Sequence, residues 1–379
     1  MNTNRMYVAA VVVLCLLPAG CFKMDVNLDT PNGGSDGKGT SAPPQLPAAG
    51  GGDWKDILAG TAGHIFLATE HGVLFYAFDT LAYPKAPVDL AARVQSGRNL
   101  KGMEGVEVAF YRGRLLLGLA MTDQSGLAVA EWTPPAAGNY ELTVKIVAVP
   151  DEVDDVILKV TPAPLLVAAR DKNTSFAIID LDHTVVESSF FRVLVGGAKP
   201  MTDSARVAKL IARRYGLIYL THRPDLLTRK SKLWLQDNGY PRGPLLVSEL
   251  KQAFGDSGKF KTTKLKDIRK AFPGVRIGIG DKLSDAQAYV DNGMKAYLIP
   301  HYKQKPKDMR KMAGEIRRLR GRGRLQVVEN WQQIEAGVSR GRKFPPATFA
   351  RKLDVKAKRL EAKEKARKNK KDDDDDDDD

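Results

Sequence analysis

Two aspartates follow an apolar, β-branched run in the segment FAIIDLDHT, residues 176–184. Side chains at positions i and i+2 of an extended strand point to the same side, so Asp180 and Asp182 project together where a buried strand ends. Two like charges this close repel each other unless a cation lies beside them. Carboxylate oxygens are the ligands that Mg²⁺ prefers, so the pair predicts a site for a hard divalent cation.

Further polar residues stand at equivalent places along the chain. Thr221 ends the apolar run LIYLT, and Lys261 lies in KFKTTKLKDIRKAF, close to a helical pattern. Asp281 follows the run VRIGIG, and Asp285 comes one helical turn later. Because the carboxyl ends of parallel strands meet at one edge of a sheet, these side chains are expected to gather beside the aspartate pair. The lysine-rich segment also offers three alternatives to its chosen lysine, Lys259, Lys264 and Lys266.

The elements that must position these residues are indicated by the pattern between residues 166 and 337. Short apolar runs alternate there with helical stretches, which is typical of repeated βα units and predicts an α/β domain with a parallel, doubly wound sheet. The predicted strands are 175–180, 217–221, 245–248, 275–280 and 296–299, and the predicted helices are 203–214, 225–238, 262–271, 284–291 and 305–319.

Residues 59–165 show a different pattern. Apolar and polar residues alternate in short runs that are separated by the turn-forming stretches RGR, TDQSG and TPPAAGN. This spacing predicts an antiparallel β-sandwich, and the stretch AAGNYELTV resembles the last hairpin of a bacterial immunoglobulin-like module. No group of titratable residues suggests a second site in this region, so the chemistry is expected in the α/β domain alone.

The composition favours an anionic partner. A chain of 379 residues with 43% hydrophobic residues is long enough for two globular domains. Its formal net charge is +14, and the surplus is concentrated in two segments, 303–324 and 351–371. Nucleic acid, a phospholipid surface and a phosphorylated substrate are the anionic partners that this charge suits.

The ordered set of motifs resembles the haloacid dehalogenase (HAD) superfamily of phosphatases. The segment DLDHT matches the first motif DxDxT, and the other matching residues are Thr221 for the second motif, Lys261 for the third, and Asp281 with Asp285 for the acidic fourth. A closer likeness covers roughly residues 174–300. It is to the catalytic domain shared by lipins, which are magnesium-dependent phosphatidate phosphatases, and by phosphatidate-sensing domains of phosphatidylinositol-transfer proteins. His183 stands where lipins have glycine.

The resemblance implies a role for each residue. Asp180 attacks phosphorus to form an aspartyl-phosphate, and Asp182 protonates the leaving alkoxide and then deprotonates the attacking water. Thr221 and Lys261 hold the transferring oxygens, and Arg223 either binds substrate phosphate or pairs with an acid. The implied Mg²⁺ site comprises Asp180, Asp182 through its backbone carbonyl, Asp281, and Asp285, the last of which orients either Lys261 or the waters of the metal.

The intervals between motifs predict an open site. About 40 residues separate Asp180 from Thr221, and about 40 more separate Thr221 from Lys261, which leaves no room for a large cap domain. An open site suits a bulky or surface-bound phosphomonoester, and a phosphatidate phosphatase-like hydrolase at a membrane surface is the leading interpretation. A non-catalytic phosphatidate-binding module is one alternative, and a phosphatase acting on polynucleotide ends or phosphoproteins is another.

The first 58 residues predict a membrane anchor. An apolar stretch at 7–17 follows Arg5 and is too short to span a bilayer, as expected for a signal peptide over residues 1–20. The stretch LPAGC resembles the bacterial lipoprotein cleavage box, which makes Cys21 the lipidated residue; a plain secretory signal is the alternative. Residues 21–58, rich in Gly, Pro and Ser, are interpreted as a flexible tether.

The last segment, 338–379, is predicted to be a disordered tail, first basic and then poly-Asp. Together with residues 303–324, its basic part is expected to contact the membrane that Cys21 holds. These features predict a lipid-anchored protein of the bacterial cell envelope, at the outer membrane or at the periplasmic face of the inner membrane.

Overall fold

The computed structural model describes residues 69–187, 198–250, 252, 256–321 and 323–374, with side chains in the last helix as far as Arg367. The strands are β1 (Val73–Phe78), β2 (Thr80–Ala82), β3 (Val88–Ser96), β4 (Glu107–Arg112), β5 (Leu115–Met121), β6 (Leu127–Trp132), β7 (Gly138–Ala148), β8 (Ala163–Ala169), β9 (Phe176–Ile179), β10 (Gly216–Pro224), β11 (Leu245–Ser248), β12 (Val275–Gly280), β13 (Lys295–Leu298) and β14 (Leu325–Val327). The α-helices are α1 (Ser204–Ala212), α2 (Thr228–Asp237), α3 (Ser257–Ala271), α4 (Leu283–Asp291), α5 (Pro306–Arg318), α6 (Trp331–Ser339) and α7 (Pro346–Asp374).

The first eight strands form two sheets. One has the order β1-β3-β6, and the other has the order β2-β8-β7-β4-β5. All their neighbouring strands are antiparallel except β2 and β8, which are parallel. Side chains from both sheets share one core, which includes Phe75, Phe110, Leu142 and Val167. The described residues thus form a two-layer sandwich, and its likeness to immunoglobulin-like modules stays a prediction.

The remaining strands form one parallel sheet with the order β11-β10-β9-β12-β13-β14. The chain starts in the middle at β9, moves outward to β11, and then returns to the other side of β9 with β12. A doubly wound sheet of this order binds ligands at the carboxyl ends of the strands where the winding reverses. That place lies between β9 and β12.

Helices cover both faces of the parallel sheet. The core on one face is shared with α3, α4, α5 and α7, and the core on the other face is shared with α1, α2 and α6. The continuous apolar runs of the central strands follow from this arrangement, because a strand covered on both faces buries successive side chains. None of the helices in the described ranges has both the length and the apolar character required to cross a bilayer.

Among the described residues, four ion pairs join the sandwich to the parallel-sheet domain. Three connect Asp79 with Lys232 at 2.6 Å, Glu70 with Arg229 at 2.7 Å, and Asp225 with Arg93 at 2.5 Å. The fourth connects the exposed side chains of Glu141 and Arg242 at 3.1 Å. A small apolar cluster lies beside them and contains Leu74, Tyr76, Leu226 and Leu227. The two domains therefore share a packed interface in addition to their linker.

The prediction of a disordered segment over 338–379 is wrong for most of its length. Helix α7 spans Pro346–Asp374, and its residues Phe349, Ala350, Leu353 and Ala357 are buried against the parallel-sheet core. Apolar residues at this helical spacing pack one face of the helix against the domain. The many charged residues between them hid this pattern in the sequence. The predicted signal peptide, Cys21 and the tether lie outside the described residues.

Candidate active site

The two central strands bring Asp180 and Asp281 to one edge of the sheet. Strand β9 ends at Ile179, β12 ends at Gly280, and the two strands are paired in parallel with Ile179 opposite Ile279. The amide of Asp180 donates to the carbonyl of Ile279 at 3.0 Å, which extends the ladder by one residue. Both aspartates are buried. The topology therefore places two carboxylates side by side at the switch point.

Helix α4 adds a third acid to this edge. Asp285 lies in its first turn and is fully buried. Gly278 allows the helix to approach, because a Cβ at that position would lie 2.2 Å from the ring of Tyr289 on the same helix. Asp180, Asp281 and Asp285 each offer a carboxylate oxygen within 4.8 Å of the others.

Lys261 is the cation that lies between these acids. Its amine is 2.9 Å from Oδ1 of Asp180 and 2.5 Å from Oδ2 of Asp285, and its side chain is 1% exposed. Helix α3 begins at Ser257 because the Asp256 carboxylate accepts a hydrogen bond from the amide of Lys259, which caps the helix. The cap places Lys261 on the buried face. The three alternative lysines do not share its burial: Lys259 and Lys266 are exposed, and Lys264 is half-buried.

The charges of this cluster are not balanced. Burial raises the pKa of Asp180, although the charge of Lys261 opposes this rise. Burial, followed by the charges of Asp180 and Asp285, raises the pKa of Asp281 well above its usual range. Burial alone would lower the pKa of Lys261, but the charges of Asp180 and Asp285 raise it well above its usual value. Lys261 thus forms ion pairs with two of the three carboxylates, Asp180 and Asp285, and the cluster favours the binding of a further positive charge.

The donor set fits a magnesium ion. Oδ1 of Asp281 and Oδ1 of Asp285 are buried and have no hydrogen-bond partner among the described residues. An unpartnered buried oxygen is costly, and a hard cation would satisfy it while neutralising the surplus of negative charge. Asp180, Asp281 and Asp285 are therefore the side chains that would hold Mg²⁺.

Asp182 does not join the acidic cluster through its side chain, contrary to a simple interpretation of the DxD spacing. Its carboxylate instead accepts from Arg223, with 2.7 Å between Oδ1 and Nη2 and 3.1 Å between Oδ2 and Nε. Arg223 is buried, and its Nη1 also donates to Ser231 at 2.9 Å. Of the two roles considered for Arg223, the structure shows pairing with an acid.

Thr221 lies at the same edge, one strand away. It is 1% exposed and belongs to β10, which continues to Pro224 and pairs with β9 and β11. Its hydroxyl accepts a hydrogen bond from the amide of Arg223 at 3.3 Å. Thr221 thus lies in the strand next to β9, and its hydroxyl is bonded to the amide of Arg223 further along the same strand.

His183, next to Asp182, has a left-handed backbone conformation with φ of 54°. This region of φ favours glycine, the residue that lipins have there. The backbone carbonyl of His183 lies 2.8 Å from Nε2 of His301, and the two imidazole rings lie 4.8 Å apart. His301 is a neighbour of the site that sequence reasoning missed.

Ser231 and Asp225 are further residues near the site that the sequence did not single out. Ser231 lies in α2 and contacts Arg223, while Asp225 follows Pro224 and pairs with Arg93 of the sandwich. No local motif identifies them. Arg93 is a charged residue within the alternating pattern of β3, but this pattern does not indicate which residue it pairs with.

The comparison with known domain families agrees with the site. The model of the LNS2 domain of PITM 1-3 matches residues 177–299. LNS2 domains are of the lipin and PITM type and have a HAD-like phosphatase fold. The matched segment is about a third of the chain and contains all of the predicted active-site residues, from Asp180 to Asp285. No curated protein sequence matches the chain.

Several solved structures show weak similarity. A chain of the Pnkp1/Rnl/Hen1 RNA repair complex is 16% identical, with a TM-score of 0.31, over 35% of this chain and 45% of that chain. The CARDB domain of the PF1109 protein from Pyrococcus furiosus is 13% identical, with a TM-score of 0.18, over 26% of this chain and 85% of that domain. The adhesin InvE of Yersinia pseudotuberculosis is 20% identical, with a TM-score of 0.19, over 29% and 31% of the two chains. The chain thus spans less than half the length of the first of these structures.

Proposed function

We propose that this protein is a Mg²⁺-dependent phosphomonoester hydrolase that works through an aspartyl-phosphate. The observation that carries the proposal is the buried cluster of Asp180, Asp281 and Asp285 around Lys261, at the switch point of the sheet. Two of its carboxylate oxygens have no partner among the described residues. A purely structural ion cluster would satisfy these oxygens, so the arrangement favours a site that receives an ion and an anionic substrate.

Asp180 is the proposed nucleophile. Lys261 holds its Oδ1, so Oδ2 is the oxygen that we assign to the attack on phosphorus. Attack by this carboxylate forms a bond from oxygen to phosphorus and breaks the bond to the leaving alkoxide. Hydrolysis of the acyl phosphate then regenerates the carboxylate. Lys261 offsets negative charge on the transferring oxygens in both steps.

Asp182 is the proposed acid and base. Its side chain is 20% exposed, in contrast to 5% for Asp180, so it is the more accessible of the two to solvent water. In the first step it gives a proton to the alkoxide, and in the second it takes a proton from the attacking water. Bound Mg²⁺ would screen the repulsion between the carboxylates and the phosphate.

A phospholipid phosphomonoester, such as phosphatidate, is the proposed substrate. The LNS2 match supports this choice. The described residues between the motifs contain no inserted cap domain, which supports a bulky substrate.

The arrangement of α5 and α7 supports the same choice. Helix α5 begins just after the carboxyl end of β13, and α7 runs antiparallel to it, since Arg310 pairs with Glu361 and Arg317 pairs with Asp354. The end of α7 therefore lies toward the same edge of the sheet as the site. Its exposed basic residues there include Lys363, Lys365 and Arg367, which suit an anionic surface.

The test is a phosphate-release assay with Mg²⁺ on dioctanoyl phosphatidate, a 5′-phosphorylated oligonucleotide and a phosphopeptide. Asp180→Asn serves as the inactive variant, and Asp171→Asn, which removes the same charge from an exposed position before β9, serves as the matched control. Release from phosphatidate by the parent and by Asp171→Asn alone supports the proposal. Release from another substrate changes the substrate class. Binding of phosphatidate vesicles without turnover identifies a non-catalytic binding module.

We also propose that Cys21 anchors the protein to a membrane of the bacterial envelope. The sequence LPAGC supports this proposal. Acyl chains contribute about 0.8 kcal/mol for each buried CH₂, whereas the attraction of basic residues to anionic lipid is screened by salt. Cys21→Ser should therefore move the protein to the soluble fraction in high salt. Retention of this variant on membranes under that condition would exclude the lipid anchor.

A further inference from the structure

The side chain of Asp182 is oriented by a single residue, Arg223. It is the more exposed of the two aspartates, and exposed carboxylates rotate freely unless a partner fixes their plane. Arg223 supplies that partner, since its guanidinium contacts both carboxylate oxygens, with a third hydrogen bond of 3.2 Å between Nε and Oδ1. A planar fork of donors fixes both the distance and the orientation of a carboxylate. The position of Asp182 therefore depends on the position of Arg223.

Arg223 is itself held on several sides. Its Nη1 donates to the hydroxyl of Ser231 in α2, and its backbone carbonyl accepts from the hydroxyl of Ser248 at 3.1 Å. Pro224 follows it and restricts the backbone, because the ring fixes φ. Arg223 and Pro224 are the last residues of β10, and Asp225 begins the 3₁₀ helix Asp225–Leu227, so the chain turns at residues 223–225.

Asp225 anchors the far end of this turn. Its carboxylate is 2% exposed and lies 2.5 Å from Nη1 of Arg93, and its Oδ1 accepts from the amide of Leu226 at 3.1 Å. Arg93 belongs to β3 in the sandwich, opposite Tyr76 of β1. A residue of the first domain therefore reaches the turn that carries Arg223 in the second.

The other three interface pairs differ from this one, and the pair of Glu141 and Arg242 is exposed on both sides, at 62% and 54%. Lys232 of α2 pairs with Asp79, whose carboxylate also accepts from the amides of Leu166 and Leu245. Leu245 is the first residue of β11, so this contact lies at the opposite end of the parallel strands from the site. The pair of Arg229 and Glu70 is partly exposed, at 9% and 33%. Of the four interdomain ion pairs among the described residues, the Arg93 pair alone contacts the segment between Thr221 and α2.

We propose that Arg93 is a positioning residue for the acid and base group. By pairing with Asp225 it holds the turn of residues 223–225 in place, and through Arg223 it fixes the carboxylate of Asp182. The role assigned to Asp182 rests on the proposed function. The sandwich thereby contributes to catalysis without touching the substrate.

The proposal predicts a selective defect. Without Arg93, the buried carboxylate of Asp225 has lost its cation, and the turn shifts toward solvent to relieve it. Arg223 then holds Asp182 less firmly, and proton transfer to the leaving group suffers. An alkoxide needs that proton, whereas p-nitrophenolate is stable enough to leave without it. A loss of folded protein, by contrast, lowers the rates for all substrates by the same factor.

The experiment measures kcat/KM of Arg93→Met for dioctanoyl phosphatidate and for p-nitrophenyl phosphate. This ratio reports the steps up to departure of the leaving group. We expect a loss of about 10-fold or more for phosphatidate, which is part of the about 100-fold or more that a general acid contributes, and a much smaller loss for p-nitrophenyl phosphate. Lys232→Met, which breaks the interface pair remote from the site, is the matched control and should affect both substrates equally.

Two further measurements make the test specific. Hydrogen–deuterium exchange of residues 221–228 should accelerate in Arg93→Met and not in Lys232→Met. Asp225→Asn should reproduce the selective loss, and the double variant with Arg93→Met should be no worse than the more impaired single variant, because the two residues act as one unit.

The outcomes separate this proposal from the proposed function. An equal loss for both substrates in Arg93→Met, or unchanged exchange of residues 221–228, overturns the positioning role. Absence of activity in the parent on every phosphomonoester overturns the proposed function instead. In that case the exchange measurement still decides whether Arg93 holds the turn.

Discussion

Buried acids occur in two regions of this molecule, and the regions treat them differently. At the domain interface, Asp79 has a lysine partner and two backbone amides, so both of its oxygens are satisfied. At the sheet edge, Asp281 is buried to a similar degree, but its Oδ1 has no partner among the described residues. Burial raises its pKa well above the usual range. The protein itself satisfies both oxygens of Asp79, which stabilises the domain interface. By contrast, Oδ1 of Asp281 is left without a protein partner among the described residues and can accept a ligand.

The difference shows that the acids at the sheet edge lower the free energy of unfolding of the metal-free protein, whereas Asp79 at the interface does not. Leaving a buried carboxylate without a counter-charge is unfavourable, and a domain interface gains nothing from it. A site that must receive a cation gains affinity, because the ion takes over the interactions that the protein withholds. Perturbed acids clustered at a strand switch point are therefore a stronger sign of function than buried acids as such.

The largest expected effect tests the edge region through its nucleophile. Asp180→Asn removes the attacking carboxylate but keeps the shape of the side chain and its contact with Lys261. We expect turnover to fall by about 10³-fold or more, which corresponds to about 4 kcal/mol in the activation barrier. Phosphate release under saturating Mg²⁺ measures it, with circular dichroism to confirm the fold. Activity equal to that of the parent would rule out the covalent mechanism.

The next effect tests the interface region. Asp79→Ala leaves Lys232 without its carboxylate partner and two buried amides without an acceptor, so we expect the free energy of unfolding to fall by about 3 kcal/mol. Urea denaturation measures the loss. Arg206→Met, which breaks an exposed ion pair with Glu335, is the control and should leave stability unchanged. If Asp79→Ala leaves the free energy of unfolding unchanged, the contacts of Asp79 do not stabilise the protein, and the contrast with the acids at the sheet edge is wrong.

Sequence patterns predicted the edge region better than the interface. The runs at Leu245–Ser248 and Val275–Gly280 coincide with strands β11 and β12, because parallel strands covered on both faces give uninterrupted apolar runs. Since Asp180 and Asp281 each follow such a run, local patterns were enough to predict that the two side chains lie close together. Strand β14, only three residues long, escaped prediction.

The contacts that tie the two domains together could not be predicted in this way. Arg93 and Asp225 are 132 positions apart, and neither belongs to a motif. Their pairing depends on how two domains dock, which no local period encodes. The start of α3 at Ser257 was also missed, although its cap, Asp256, is a local signal that could have been used.

A third prediction reverses the sign of the second. Asp281→Asn removes a buried charge that lacks sufficient compensation, so in the presence of a chelator the variant should be more stable than the parent, by about 1 kcal/mol. It should also lose most of the stabilisation that Mg²⁺ gives the parent, because a ligand is missing. Thermal unfolding with chelator and with Mg²⁺ measures both effects. A destabilised variant that still responds to Mg²⁺ would contradict the assignment of Asp281 to the ion site.

The smallest effect concerns the pH dependence of that difference. The raised pKa of Asp281 means that the folded, metal-free protein binds its proton more tightly than the unfolded chain, whose aspartates titrate near about 4. Stability of the parent therefore gains from proton uptake as the pH falls through the raised value, and the Asn variant has no such gain. The advantage of Asp281→Asn should therefore shrink as the pH falls through the raised pKa of Asp281, by up to about 1 kcal/mol. Other groups whose pKa is shifted, such as His183 and His222, titrate in both proteins and largely cancel in the difference. Urea denaturation of both proteins in chelator, at intervals of one pH unit, measures the gap. A gap that widens as the pH falls would contradict the raised pKa of Asp281.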